Sequence, residues 1–228
     1  MNRVNITKSS PLRMTSCCCV LFCFRSQDPS LNEKDKLIAK AKLNRAQEFA
    51  KDVTLDPDTA NPYLILSDDG KQIYCSNVRQ NRPDNPKSFN TACNVLAKQS
   101  FSSGRFYYEV QVEGMAAWDL GVVKESIDRK GSITASPENG FWTICLRKGL
   151  KYRASSVHLS LKHQPKKVGV FVDYANGSVS FYDVDSADLI HHFTACSFTE
   201  KLYPFFSPGC LNGGNNTPLI ISDVNYTD

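Results

Sequence analysis

The sequence predicts an all-β protein, a twisted two-sheet antiparallel β-sandwich with an N-terminal helix. Three observations carry this. Short period-two runs of aromatic and β-branched residues recur from about residue 63 onward. Turn signals such as Asp69-Gly70 and Asn176-Gly177 separate them at regular spacing. The helical pattern is confined to residues 31–52 and stops at Val53.

The chain has 228 residues, enough for one substantial domain with an extension. Its 41% hydrophobic and 22% charged residues are ordinary for a globular protein. The net charge of +4 is unevenly placed. Residues 1–53 carry the basic excess, and the remainder is nearly neutral. A nucleic-acid-binding domain with a concentrated basic face is therefore not expected. The nine cysteines are odd in number and lack framework spacing. That favours a reducing compartment and singly buried, hydrophobe-like cysteines over a disulfide scaffold. No CxxC pair occurs, so no structural zinc is expected.

Residues 1–30 read as a disordered or non-native leader. Its Cys17–Phe24 run is too short to span a membrane, although clustered cysteines beside apolar residues are acceptable lipidation sites. In the helix, Asn32 is the expected N-cap and Lys51 lies in the last turn. Leu37, Ile38, Ala41, Arg45 and Phe49 define its mainly apolar face. So narrow a stripe needs a partner, either the following domain or a coiled coil. Tyr63–Leu66 and Lys71–Cys75 read as a hairpin through Asp69-Gly70. Residues 77–90 read as an exposed loop, whose Arg79, Arg82 and Lys87 either meet an acidic partner or are simply solvated.

The stretch Ser103–Val123 anchors the reading. Phe106, Tyr108, Val110 and Val112 share one face of a half-buried strand. Trp118–Val123 resumes the pattern after Glu113-Gly114, which predicts a second antiparallel hairpin. Residues 124–139 form a second polar stretch. In Gly140–Arg147, Trp142, Ile144 and Leu146 look like core, leaving Phe141, Thr143, Cys145 and Arg147 on the candidate ligand-facing side. Lys167–Asp173 and Ser178–Asp185 pair around Asn176-Gly177, and strands follow at Leu202–Ser207 and Leu219–Ser222.

These blocks, in this order, resemble the PRY–SPRY domain found at the C-terminus of tripartite-motif proteins and butyrophilins. The PRY-like part is Asp52–Ile73 with its Leu55-Asp56-Pro57 motif. The SPRY-like parts are SGRFYYEV, WDLGVV, NGFWTI, VGVFVDYANGSVSFYDV and LYPFFSPG. The match spans about residues 50–223. Two scaffold motifs depart from the family pattern: Tyr-Trp-Glu-Val reads Tyr107-Tyr108-Glu109-Val110, and Leu-Asp-Tyr-Glu reads Val172-Asp173-Tyr174-Ala175.

The resemblance implies a concanavalin-like jelly roll over residues 53–228 that grips a protein ligand through variable loops at one face. By position that face draws on residues 77–90 with Arg79 and Arg82, and on Asp119, Ala135, Cys145, Arg147, Cys210 and Asn212. It further implies the substrate- or pathogen-binding end of a tripartite-motif E3 ubiquitin ligase in innate immunity, without the RING and B-box zinc spacing in this chain. The alternatives are a butyrophilin-like sensor that binds a phosphorylated small molecule near Arg147, Lys148, Lys151 and Arg153, or the C-terminal module of a nucleotide-binding immune receptor. No nucleophile elbow, P-loop or HExxH motif occurs, so a binding module rather than an enzyme is expected, with no cofactor. The associated expectations are a cytoplasmic location, no nucleic-acid or firm membrane association, and open scope for coiled-coil homodimerisation through a parent chain.

Overall fold

The computed structural model describes residues 29–83, 85–210 and 217–224. Thirteen strands and one α-helix are defined among them. The expected leader over residues 1–30 falls outside the described residues except for Pro29 and Ser30, which open the helix.

Two antiparallel sheets face each other. The first has seven strands in the order β1-β2-β13-β4-β9-β10-β11. These are β1 (Leu64–Leu66), β2 (Gln72–Cys75), β13 (Leu219–Ser222), β4 (Arg105–Gln111), β9 (Lys167–Asp173), β10 (Ser178–Asp183) and β11 (Leu189–Phe193). The second runs β3-β12-β5-β6-β7-β8. Its strands are β3 (Val95–Leu96), β12 (Leu202–Ser207), β5 (Trp118–Lys124), β6 (Phe141–Arg147), β7 (Lys151–Ala154) and β8 (Val157–Leu159). The predicted sandwich is therefore the architecture observed.

Between the sheets lies a core that includes Phe106, Tyr108, Trp118, Phe181 and Phe206. The PRY-like segment contributes Val53, Leu55, Leu64 and Ile73 to this same core, so it is integral to the sandwich. Tyr108, at the position of the usual tryptophan of its motif, belongs to this core. It is 1% exposed, its hydroxyl donates across the core to the Gly121 carbonyl at 2.6 Å, and its ring meets Phe206 edge-on.

Several local expectations are corrected. β4 and β5 are not a hairpin. β4 pairs with β13 and β9, whereas β5 pairs with β6 and β12 in the facing sheet. The Glu113-Gly114 turn carries the chain from one layer to the other. β4 is also buried on both faces rather than one. Tyr107 and Glu109 are 0% and 1% exposed because the helix covers them. Both hairpins around Asp69-Gly70 and Asn176-Gly177 form as expected.

The helix α1 spans Pro29–Gln47, not residues 31–52. Asn32 lies inside it rather than capping it, and Lys51 lies beyond it, donating its backbone N–H to Tyr107. The contact stripe also differs. Leu37 and Ile38 are 66% and 53% exposed, and Ala41 and Arg45 are exposed. Leu43, Ala46 and the partly buried Ala39 pack on Tyr107, Tyr182 and Ala187 instead. What fixes this rotation is polar. Gln47, 4% exposed, donates from Nε2 to Glu109 at 2.9 Å. Glu109 also accepts from the Tyr107 hydroxyl at 2.9 Å and pairs with Lys167 at 3.2 Å. A buried carboxylate needs several such partners, and α1 supplies one of them through Gln47.

Close approach explains Gly169 on β9. A Cβ there would collide with the Tyr107 hydroxyl and ring, so the tyrosine can lie under α1 only above a glycine.

The cysteine expectation is overturned in part. Cys75 at the end of β2 and Cys210 after β12 form a disulfide, with Cα atoms 5.5 Å apart. Cys93, Cys145 and Cys196 are free and part-exposed. The two bonded residues are 135 apart in sequence, a separation that carries no local spacing signal.

Candidate functional site

The outer face of the second sheet carries a concave depression of about 340 Å³. It is built where three strands run side by side. In register, Ser207 of β12 opposes Asp119 of β5, and Asp119 opposes Cys145 of β6. Arg147, two residues on, falls on the same outward face. Ala117, Ile133, Ala135 and Phe205 supply apolar lining, Thr91 to Asn94 form one side, and Gly209-Cys210 form another.

The segment at Cys210 is held tightly. Gly209 has φ +61°, and a Cβ there would come within 2.6 Å of the Ala117 side chain and 2.7 Å of its backbone. The next residue is bonded to Cys75. The wall is thus pinned by a glycine contact on one side and a covalent bond on the other.

At the centre, Arg147 Nη2 donates to Asp119 Oδ1 at 2.8 Å. Its Nη1 donates to the carbonyls of Trp118 and Leu146 at 3.1 and 2.9 Å. Asp119 is 16% exposed and Arg147 43%. Burial pushes the Asp119 carboxyl above its ordinary range, and Arg147 offsets that only in part. Burial also pulls on Arg147, but its bond to Asp119 outweighs this and keeps the guanidinium firmly charged. The arginine edge that remains open to solvent is a fixed donor set beside an apolar floor. Such a combination orients a bound group by a few polar contacts while apolar area supplies affinity.

The thiols nearby are poor nucleophiles. Burial raises Cys145, helped by the Asp119 charge, and burial likewise raises Cys93. Among the described residues, no group of three or more His, Cys, Asp or Glu is placed to hold a metal ion. His191 stacks edge-on to Phe193, and the His192 ring shares a hydrogen bond with Ser180 at 2.9 Å.

Four of the eight sequence-predicted site residues line this depression, Asp119, Ala135, Arg147 and Cys210, and Cys145 stands next to it, opposite Asp119 in the strand register. Arg79 and Arg82 line a different cavity, described below. Asn212 lies outside the described residues. Two other members of the predicted ligand-facing side of β6 are not available. Phe141 and Thr143 are 3% and 5% exposed, and Phe141 lies under a second apolar cluster with Phe89, Val123 and Phe205. Residues 77–90, expected as an exposed loop, are in part structural: Phe89 is 0% exposed in that cluster. Sequence reasoning missed Cys93, Ile133 and Phe205 in the lining; only the pairing of β12 with β5 brings Phe205 there. The basic cluster divides, with Arg147 engaged by Asp119 and Arg153 standing 3.2 Å from His158.

The SPRY domain profile matches residues 105–219, and the SPRY-associated PRY profile matches residues 53–101. The chain belongs to the PRY–SPRY family. Human pyrin is 46% identical over 199 residues, covering 86% of this chain and 26% of pyrin. The bovine E3 ubiquitin-protein ligase TRIM21 is 44% identical over 174 residues, covering 74% of this chain and 37% of TRIM21. The chain thus spans well under half the length of these relatives. The crystal structure of the TRIM65 PSpry domain superposes with a TM-score of 0.68 at 22% identity, covering 80% of this chain and 96% of that one, which shows the shared fold. The PRY–SPRY domain is a protein-interaction module. No helix among the described residues is long and apolar enough to cross a membrane.

Proposed function

We propose that this chain is the recognition end of a tripartite-motif type E3 ubiquitin ligase acting in innate immunity, and that it captures its protein target at the Asp119–Arg147 depression. The observation that carries the reading is the depression itself: an apolar floor, one half-exposed ion pair, and a wall pinned at Gly209-Cys210. A pre-formed wall loses little freedom on binding, which favours affinity. The expected absence of catalysis and the cytoplasmic location belong to this same reading. The exposed Leu37 and Ile38 on α1 support association with a further helix, such as a parent coiled coil.

The test is capture from cell lysate with the whole chain, beside Arg147→Ala and Arg147→Glu. A protein recovered by the wild type and lost with both variants, whose melting temperatures stay within a few degrees, supports the site. A partner list unchanged by either variant refutes it.

A further inference from the structure

A second cavity, of about 290 Å³, lies beside the first. The two share one ridge: Ser88, Phe89 and Asn90 line the second, and the next four residues line the first. An extended chain advances roughly 3.3 Å per residue, so a partner segment of a few residues reaches both.

The charge of this second cavity is unusual. Arg79 and Arg82 both line it, and neither is paired with a carboxylate among the described residues. Arg82 is half-buried, and among the described residues its guanidinium makes one hydrogen bond, a long one from Nη1 to the Asn61 carbonyl at 3.3 Å. Burial lowers its pKa, and no charge among the described residues offsets the effect. A half-buried guanidinium with most donors unused is an uncompensated charge, and a carboxylate is its natural bidentate partner. Phe89 and Tyr63 give the cavity apolar walls suited to the methylene stem of a side chain. The exposed residue Asp58 also lines the cavity. It favours a singly charged carboxylate over a phosphate dianion. The volume is at the lower end for ligand pockets, which fits one side chain rather than a whole metabolite.

We propose that the Arg79–Arg82 cavity receives an Asp or Glu side chain of the bound protein, while an apolar side chain a few residues away fills the Asp119–Arg147 depression. This rests on the reading of that depression given above. The family face then works as two subsites on one ridge, and the arginine subsite sets a requirement for acidity.

The test is selection of a displayed random heptapeptide library on the full chain, followed by affinity measurements with synthetic versions of the enriched peptides. Enriched peptides should carry Asp or Glu at a fixed spacing from an apolar residue. Their affinity should fall about tenfold or more in Arg79→Gln/Arg82→Gln, as expected for a lost charge-assisted hydrogen bond. It should also fall with salt. Arg79→Gln alone, at an exposed position where substitution costs little stability, should show part of the loss. Ala135→Trp, which fills the depression, should weaken the same peptides. Enriched peptides that are neutral but still blocked by Ala135→Trp overturn the acidic subsite and leave the depression standing. Acidic peptides indifferent to Ala135→Trp overturn the two-subsite arrangement and the depression together. A folded chain that enriches no peptide overturns both readings.

Discussion

Breaking the Cys75–Cys210 bond is the perturbation with the most direct structural arithmetic. The bond joins residues 135 apart, so it closes a loop that takes in most of the domain. In the chain-entropy view, cross-linking so long a loop removes about 5 kcal/mol of freedom from the unfolded state. Measured native disulfides more often contribute about 2–4 kcal/mol. For a chain of this size each kcal/mol moves the melting midpoint by roughly 2–4 °C, so reduction should lower it by about 5–15 °C. The assay is a melting curve with and without a dithiol reductant, alongside Cys75→Ser, Cys210→Ser and the double variant. Because one bond is removed in all three, the single and double variants should be equally destabilised rather than additive. The reduced protein should also bind its partner more weakly, since Cys210 forms part of the depression wall. If mass mapping finds the disulfide intact in the native protein and yet reduction moves the midpoint by less than about 3 °C, the constraint argument is wrong.

Three further outcomes follow from the packing. Gln47→Ala removes one donor from the buried Glu109 and should cost about 1–3 kcal/mol, with faster amide exchange confined to the C-terminal turns of α1. Tyr108→Phe deletes the 2.6 Å bond to Gly121 and should cost about 1 kcal/mol in denaturant unfolding, with the m-value unchanged. The third is acid stability. Burial raises Asp173, but the Asn176 backbone and side chain and the Arg105 guanidinium together outweigh it and hold the carboxyl below 3.8. Its stabilisation is therefore full above the unfolded value near 3.8 and is lost as pH falls through the lower folded value. Asp173→Asn should flatten the decline in stability below pH ~4 relative to wild type, read from denaturant midpoints across that range.

How far the sequence reached is clearest from particular elements. Asp69-Gly70 and Asn176-Gly177 announce their hairpins because a tight turn fixes two neighbouring strands at once. The false hairpin between β4 and β5 shows the limit of that logic. Period-two alternation gives the faces of a strand but not its neighbour, and here the turn hands the chain to the opposite sheet. α1 was misplaced in rotation because Leu37 and Ile38 look like the contact stripe. Its true orientation is set by Gln47, through a bond to Glu109 at a separation of 62 residues. β3, β7 and β8 are short, and β7 carries Lys151 and Arg153, so hydrophobic pattern alone passes over them. The candidate site was legible in part from alternation, which turns Cys145 and Arg147 outward on their strand, and otherwise only through motif resemblance, which adds Asp119, Ala135 and Cys210. The separation of Arg79 and Arg82 into their own cavity depends on their meeting Ser88, Phe89 and Asn90 there, with Phe89 anchored in the second apolar cluster. Nothing local to those residues encodes it.

The most direct test of the recognition face is hydrogen–deuterium exchange on the full chain, free and bound to the protein it captures. The account predicts protection at residues 91–94, 117–119, 133–135, 145–147 and 207–210, extending along the ridge to 79–90 if the acidic subsite is used. Protection confined to α1, β10 and β11 on the far side of the sandwich, with the depression unchanged, would contradict it.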